Sequence, residues 1–422
     1  MGKKTVLPLL AILLHLASFS QANSQNLLKT WDVFELTLVS KSSSSNPYLE
    51  IVPGKTPFLT ARFTGTDGLA AGQSMTVPGF WDGERTWKIK FANSKGITVW
   101  IHAWWSREGI SKSIGEENII RWWRYVVQRL HAYNVIWVIA GEYNMNDYGG
   151  FPLEFWNGLG KIIKDEDPYE RIMGAHPTPP MWSGGADAPQ WSTAEAIHDQ
   201  QWSDYNQGQT GHARWCNELT PWIITNAYNR KPAKPVVVTE PWYEFIEGNP
   251  TAMDIRFGAW SAVMSGAAGH SYGGGHIWRV HLPERPTGVG SWPMDTSFAT
   301  NTMLYPGAVS VGFMGKFLRK LDWWKLEPHP ELVPENPSPY CLADPGREYL
   351  FYLRYGGSVK IDLTAYPGSS EFEFTWTDLV NSRESKKGVI SGGSVTEIKC
   401  PEDYPGTVNF KDWLLYVVRT DK

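Results

Sequence analysis

A chain of 422 residues is too long for one small domain and has room for two or three separate cores. A net charge of -4 with no basic block gives no electrostatic reason to expect nucleic acid. The departure from average is aromatic: 23 tryptophans, whose rings fill cores and also stack on the apolar faces of sugars, tilt the composition towards carbohydrate.

Residues 1–22 read as a signal peptide, with Lys3 and Lys4, an apolar run from Thr5 to Ala17, and Ser20-Gln21-Ala22 at the cleavage spacing. The run is too short to span a bilayer, and no Cys at the cleavage site provides a lipid anchor. The expectation is a secreted or periplasmic protein without membrane attachment after cleavage. Three cysteines are an odd count for that compartment; Cys216 stands apart, and a Cys341–Cys400 disulfide is allowed but not established by the sequence.

Phe34–Val39, Phe58–Phe63 and Gly79–Phe91 then read as strands separated by turns. In the last, Trp87, Ile89 and Phe91 alternate with Lys88 and Lys90, and Asp82-Gly83 marks the turn before them. The pattern predicts an N-terminal Ig-like β-sandwich module over 27–93, with Trp81 assigned to packing before sugar binding.

From residue 94 the rhythm changes to alternating strand and helix, the mark of a parallel sheet. The first buried strand is 96–105, followed by a helix capped by Ser113 with Glu116 three residues on, whose Ile119, Trp122, Trp123, Val126, Val127 and Leu130 recur at helical spacing. Residues 134–140 are almost all apolar, suiting a strand covered on both faces, and lead through Gly141 to Glu142 and Asn144. A helix at 153–164, a strand at 171–176, a helix at 192–197, a strand at 202–210 and a helix at 213–228 follow. The run Pro235-Val-Val-Val-Thr-Glu240 is a second buried strand ending on a carboxylate, with Pro-Trp-Tyr-Glu after it. A helix at 251–265, a glycine-rich strand end at 266–275 and a helix at 306–321 complete the region.

That makes six strand-helix units where a closed barrel needs eight. The expected fold is therefore α/β, a (β/α)8-type barrel over 94–327 lacking its first two βα units, flanked by the N-terminal β-sandwich and a C-terminal one over 328–422. An open six-stranded sheet is the alternative. In the C-terminal part, 349–355 and 358–363 read as two strands joined by a tight turn at Gly356-Gly357, and 372–376 and 413–418 as further strands.

Strand ends are where α/β barrels place chemistry. Cleaving a glycosidic bond needs a carboxylic acid to protonate the leaving oxygen and a carboxylate on the other side of the anomeric carbon, and Glu142 and Glu240 supply both. Asn144, His102, Trp104, His212, Trp242, Tyr243, His270 and Tyr272 are candidates to contact a sugar, and Glu244 is a further candidate to line the site. His102, His176, His212, His270 and His276 at strand ends also raise a metal-dependent hydrolase, but there is no His-x-His and no His-Glu-x-x-His, so no metal or cofactor is expected. Gly273–Gly275 lack the Lys-Ser or Lys-Thr of a phosphate loop and point instead to a close backbone approach to a ligand.

Taken together, Trp-Arg-Tyr-Val-Val at 123–127, Val-Ile-Trp-Val-Ile-Ala-Gly-Glu-Tyr-Asn at 135–144, Gln-Thr-Gly-His at 209–212, Glu-Pro-Trp-Tyr-Glu at 240–244 and Ser-Gly-Ala-Ala-Gly-His-Ser-Tyr-Gly at 265–273 resemble the apiosidase-like glycoside hydrolases. Pro-Gly-Phe-Trp-Asp-Gly at 78–83 resembles the β-sandwich ahead of such barrels, and Leu-Asp-Trp-Trp-Lys-Leu-Glu-Pro at 321–328 their C-terminal, collagen-binding-type β domain. The resemblance implies an eight-stranded barrel that hydrolyses side chains of plant-type polysaccharides, with Glu142 as acid/base and Glu240 as nucleophile. The family's opening strands have no counterpart read here. The expectation is thus a secreted glycoside hydrolase acting on an oligosaccharide or polysaccharide, with a non-catalytic carbohydrate-binding protein as the rival.

Overall fold

The computed structural model describes residues 33–40, 47–54, 60–62, 74–76, 83–105, 108–145, 151–179, 191–246, 250–275, 304–333, 340–401 and 411–420. The stretch expected to be a signal peptide (1–22), Trp81 and His276 lie outside them. The described chain divides into two units, one ending at Gln209 and one beginning at Thr210.

In the first unit, β1 (Val33–Ser40) pairs antiparallel with β2 (Pro47–Gly54) along its whole length, from Val33 opposite Gly54 to Ser40 opposite Pro47. Strands β3 (Thr60–Arg62) and β4 (Ser74–Thr76) extend this to a four-stranded sheet in the order β2-β1-β3-β4. The strand expected through Phe91 is instead a helix, α1 (Gly83–Ser94). The error lies in the period. Residues 89 and 91 share a face in a strand but stand about 200° apart in a helix. Ile89 is buried with Ala92 packed against the same core, whereas Phe91 is 49% exposed. Asn93 closes the helix end by donating to the carbonyls of Ile97 and Asn134 and accepting from Asn134 N–H, which fixes the entry into the next strand.

Strands β5 (Val99–His102), β6 (Val135–Val138) and β7 (Met173–Gly174) form a parallel sheet in that order, all buried. Helices α2 (Glu108–Ile114), α3 (Glu116–Leu130) and α4 (Leu153–Glu166) connect them. Ser113 is not the cap of α3. It lies inside α2, and the break between the two helices is Gly115 at φ 81, a left-handed conformation that glycine adopts without a steric penalty. Helix α3 buries Ile119, Trp123, Val126, Val127 and Leu130, a stripe at helical spacing. Trp123 donates to the Ile139 carbonyl and Trp137 to Asp167, so both indoles are buried with their N–H groups satisfied. Residues 193–199 form turns, not the expected helix, and lead to β8 (Asn206–Gln209), whose four residues, three of them polar, are all buried.

In the second unit α5 (Arg214–Glu218) and α6 (Thr220–Tyr228) occupy the stretch read as one helix, parted at Leu219 with Pro221 at the start of α6. Strand β9 (Val236–Glu240) follows, then α7 (Ala252–Met264), β10 (Gly269–His270) parallel to β9, and α8 (Pro306–Leu318). Thr251 and Asp254 form a reciprocal cap at the start of α7.

Next come β11 (Glu327–Pro328), β12 (Tyr340–Asp344), β13 (Glu348–Leu353), β14 (Ser358–Asp362), β15 (Glu371–Asp378), β16 (Arg383–Ser391), β17 (Val395–Lys399) and β18 (Trp413–Arg419). Six of them make an antiparallel sheet in the order β11-β12-β13-β18-β15-β16, and β14 pairs with β17 alone. The hairpin expected at Gly356-Gly357 is therefore absent. Both glycines take positive φ, 72 and 98, and carry the chain from one sheet to the other. Cys341 and Cys400 are buried in the core of these strands and are not joined by a disulfide, so the Cys341–Cys400 bridge is not formed; Cys216 is buried elsewhere.

The six-stranded sheet and the helices of this unit share one core. Phe257, Trp260 and Val263 of α7 and Met314 and Leu318 of α8 pack with Leu342, Leu350, Tyr352 and Leu414. Arg256 on α7 makes a two-oxygen ion pair with Asp412, both buried, and Arg354 on the β side pairs with Glu218 while its guanidinium lies 3.7 Å from the Phe257 ring.

Candidate functional site

Each unit carries one of the two strand-end carboxylates. In the first, β6 leads into Gly141 and Glu142, where the chain turns sharply: Glu142 has φ 48, a left-handed conformation that costs a side chain with a Cβ on the order of 1–3 kcal/mol. The turn is over-determined. Gly141 N–H donates to the Trp104 carbonyl at 2.8 Å, Tyr143 N–H to His176 O at 3.0 Å and His176 N–H to Ala140 O at 3.0 Å. Asn144 accepts from Thr178 N–H through its side chain at 2.8 Å, which ties it to the following loop.

The Glu142 side chain is 8% exposed. Trp105 Nε1 donates to its Oε2 at 3.1 Å and Gln209 Nε2 to its Oε1 at 3.3 Å. Trp105 lies directly over Gly141, where any Cβ would run into the indole, so only glycine fits before this glutamate. His102 stacks on Trp105 with ring centres 6.2 Å apart, and His176 stands edge-on to His102 at 5.5 Å. Trp104 is half-buried beside them.

In the second unit, Glu240 is 4% exposed at the end of β9. His212 Nε2 lies 2.9 Å from Glu240 Oε1, and the His212 ring meets Tyr243 with centres 4.5 Å apart. Tyr243 covers Gly273 as Trp105 covers Gly141, again leaving no room for a Cβ. The close approach expected of the 273–275 glycines is thus to this ring, and to Glu244, whose N–H donates to Gly273 O at 3.0 Å. Trp242 is buried with the Arg214 guanidinium over its ring at 5.5 Å.

Glu244 has structural partners. Its carboxylate accepts from Gly307 N–H at 3.0 Å and from Tyr272 O–H at 2.7 Å, pinning the loop after β9 to the start of α8. Burial and the adjoining carboxylate push the Tyr272 phenol well above its ordinary value, so it stays a donor. His270, half-buried on β10, is pushed down by burial to about 3 and is neutral at ordinary pH.

The strand-end rule locates Glu142, Glu240 and their histidines. It misses Trp105 and Gln209 as partners of Glu142, although Gln209 opens the Gln-Thr-Gly-His stretch. The donor-only indole next to Trp104 was a legible signal; the burial of the Gln209 amide against Glu142 was not. Among the described residues no group of three or more His, Cys, Asp or Glu is placed to hold a metal ion.

The family model described as "Apiosidase-like, catalytic domain" matches residues 41–325, more than half of the chain. The chain belongs to the apiosidase-like family. It is a glycoside hydrolase. Among solved structures the apiosidase-like chain is similar to one described as "Glycoside hydrolase", with a TM-score of 0.69 at 19% identity over 85% of this chain and 79% of that one. It is also similar to a glycoside hydrolase family 5 protein from Bacteroides vulgatus ATCC 8482, with a TM-score of 0.67 at 20% identity over 86% and 83%. These likenesses show a glycoside hydrolase fold of mixed α/β content. No curated protein matches the chain. The apiosidase-like match begins at residue 41, inside the stretch that sequence patterning gives to a separate sandwich.

Proposed function

We propose that this apiosidase-like protein is a secreted, retaining glycosidase acting on side chains of plant-type polysaccharides, with Glu142 as acid/base and Glu240 as nucleophile. The observation that carries the reading is that two buried carboxylates stand at or just past the end of a parallel strand and each faces a side-chain nitrogen. In the first step Glu240 attacks the anomeric carbon, the glycosidic bond breaks, and Glu142 gives its proton to the departing oxygen. Water then attacks the glycosyl-enzyme, Glu142 takes the water proton, and Glu240 leaves. The aromatic and histidine side chains around each carboxylate, Trp104, His102, Trp242 and Tyr243 among them, supply stacking surface and hydrogen bonds for sugar. Residues 1–22 direct export.

The rival reading, a sugar-binding protein without turnover, draws on the count of six strand-helix units. Two observations weigh against it: a helix stands ahead of β5 at 83–94, and the family's catalytic domain reaches back to residue 41. Glu240→Gln and Glu142→Gln are each expected to lower kcat at least ~10²-fold on a competent oligosaccharide. Full activity in Glu240→Gln sinks the mechanism, and sugar binding with no product from the wild type favours the rival.

A further inference from the structure

We propose that Gln209 is a positioning residue for Glu142 and, with Trp105, sets the pH at which Glu142 gives up its proton. The inference rests on the acid/base assignment of Glu142. Its observations are the two neutral N–H groups that reach the carboxylate, one on each oxygen, and the surroundings that fix both donors.

Trp105 is held against the Gly141 backbone with the His102 and His176 rings packed beside it at 6.2 and 5.8 Å, so its Nε1 has one direction. An indole N–H only donates, which makes Oε2 an acceptor in either protonation state and leaves the proton of the acid form to Oε1. Oε1 is the oxygen that faces Gln209. Gln209 is fully buried on β8, and its own Oε1 is shielded with no hydrogen-bond partner. A buried side chain of this kind touches the acid and not the sugar, so it acts through Glu142.

Donors to a carboxylate favour its ionised form and lower the pH at which the proton leaves. Neutral donors do this less than a guanidinium would, which suits a group that must give a proton in one step and recover it in the next. The His102 and His176 imidazoles, both packed beside the Trp105 ring, are titratable groups facing this cluster among the described residues, and they are unchanged in the variants below.

Two variants test this on the full chain. Gln209→Leu removes the donor to Oε1, and Trp105→Phe keeps a ring over Gly141 while removing the donor to Oε2. Each removes an interaction that favours the ionised acid, so the alkaline limb of kcat/KM against pH moves up in both. kcat at the optimum falls on the order of tenfold, with KM within about twofold. If Gln209→Leu does not fold, Trp105→Phe alone carries the test. An alkaline limb that stays in place in the folded variants, or a change confined to KM, overturns the inference. Full activity in Glu142→Gln overturns the acid/base assignment instead; a collapsed Glu142→Gln beside unmoved limbs condemns only the role of Gln209 and Trp105.

Discussion

Glu142 and Glu240 are similarly buried and similarly placed, but they are held in different ways. Glu142 stands on a strained, left-handed backbone and is gripped by an indole three residues past β5 and an amide from β8. Glu240 stands on an ordinary strand end and meets an imidazole, while the loop after it is fixed by a different carboxylate, that of Glu244. Both beds use the same small device, a glycine under an aromatic ring. The comparison teaches that burial at a strand end does not define a working carboxylate; Glu244 is the most buried of the three and holds a loop.

The largest effects should come from the carboxylates themselves, and Glu142→Gln and Glu240→Gln break the comparison if either stays active. Glu244→Gln is expected to act differently. It keeps an acceptor for Gly307 or Tyr272 and so should lower stability more than kcat, as read by thermal melting beside initial rates.

Next in size is Arg256→Met, which leaves Asp412 buried without its partner and should cost about 3–5 kcal/mol in urea unfolding. Hydrogen exchange should place the loss in residues 210–422 and leave the Glu142 surroundings protected. The double variant Arg256→Met with Asp412→Leu should recover most of the loss.

Gly141→Ala and Gly273→Ala sharpen the pairing of the two beds. Each drives a methyl into a ring and should cost about 1–3 kcal/mol. Gly141→Ala should also displace the Trp105 donor and move the alkaline limb, whereas Gly273→Ala should displace Tyr243 and leave that limb in place.

The smallest effect concerns His270. Its folded value of about 3 lies below the unfolded value of about 6.5, so the fold prefers the neutral ring. That preference stabilises fully above about pH 6.5 and is lost as pH falls from there towards 3. Melting temperatures of His270→Gln should therefore fall slightly less than the wild type between pH 7 and 4.5; an identical slope would show that the ring titrates normally.

How much of this was legible depended on whether a pattern had one reading. Val135–Val138 and Val236–Glu240 are dense β-branched runs that suit only a buried strand, and both carboxylates were read from their ends. Residues 87–91 could be read with either period, and the core is met by Ile89 with the partly buried Ala92 packed against it. Ser113 had the chemistry of a cap, but Gly115 supplies the backbone that ends α2. Gly356-Gly357 has the composition of a hairpin turn, and its strands belong to different sheets because each pairs with a partner far along the chain. Gln209 as a grip on Glu142 joins residues 67 apart, a contact no local pattern encodes.

The shared core of α7, α8 and the six-stranded sheet bears on how the protein can be taken apart. Cleavage between residues 333 and 340 would cut the chain without releasing a piece, because Trp260, Leu350 and Leu414 lie on the two sides of one apolar seam closed by Arg256 and Asp412. Expressed without the C-terminal strands, the helices behind Glu240 would present Phe257, Trp260, Met314 and Leu318 to water and aggregate. The C-terminal sheet is thus not cargo that can be exchanged between enzymes. It is inherited with α7 and α8, and a grafted replacement would have to reproduce the seam.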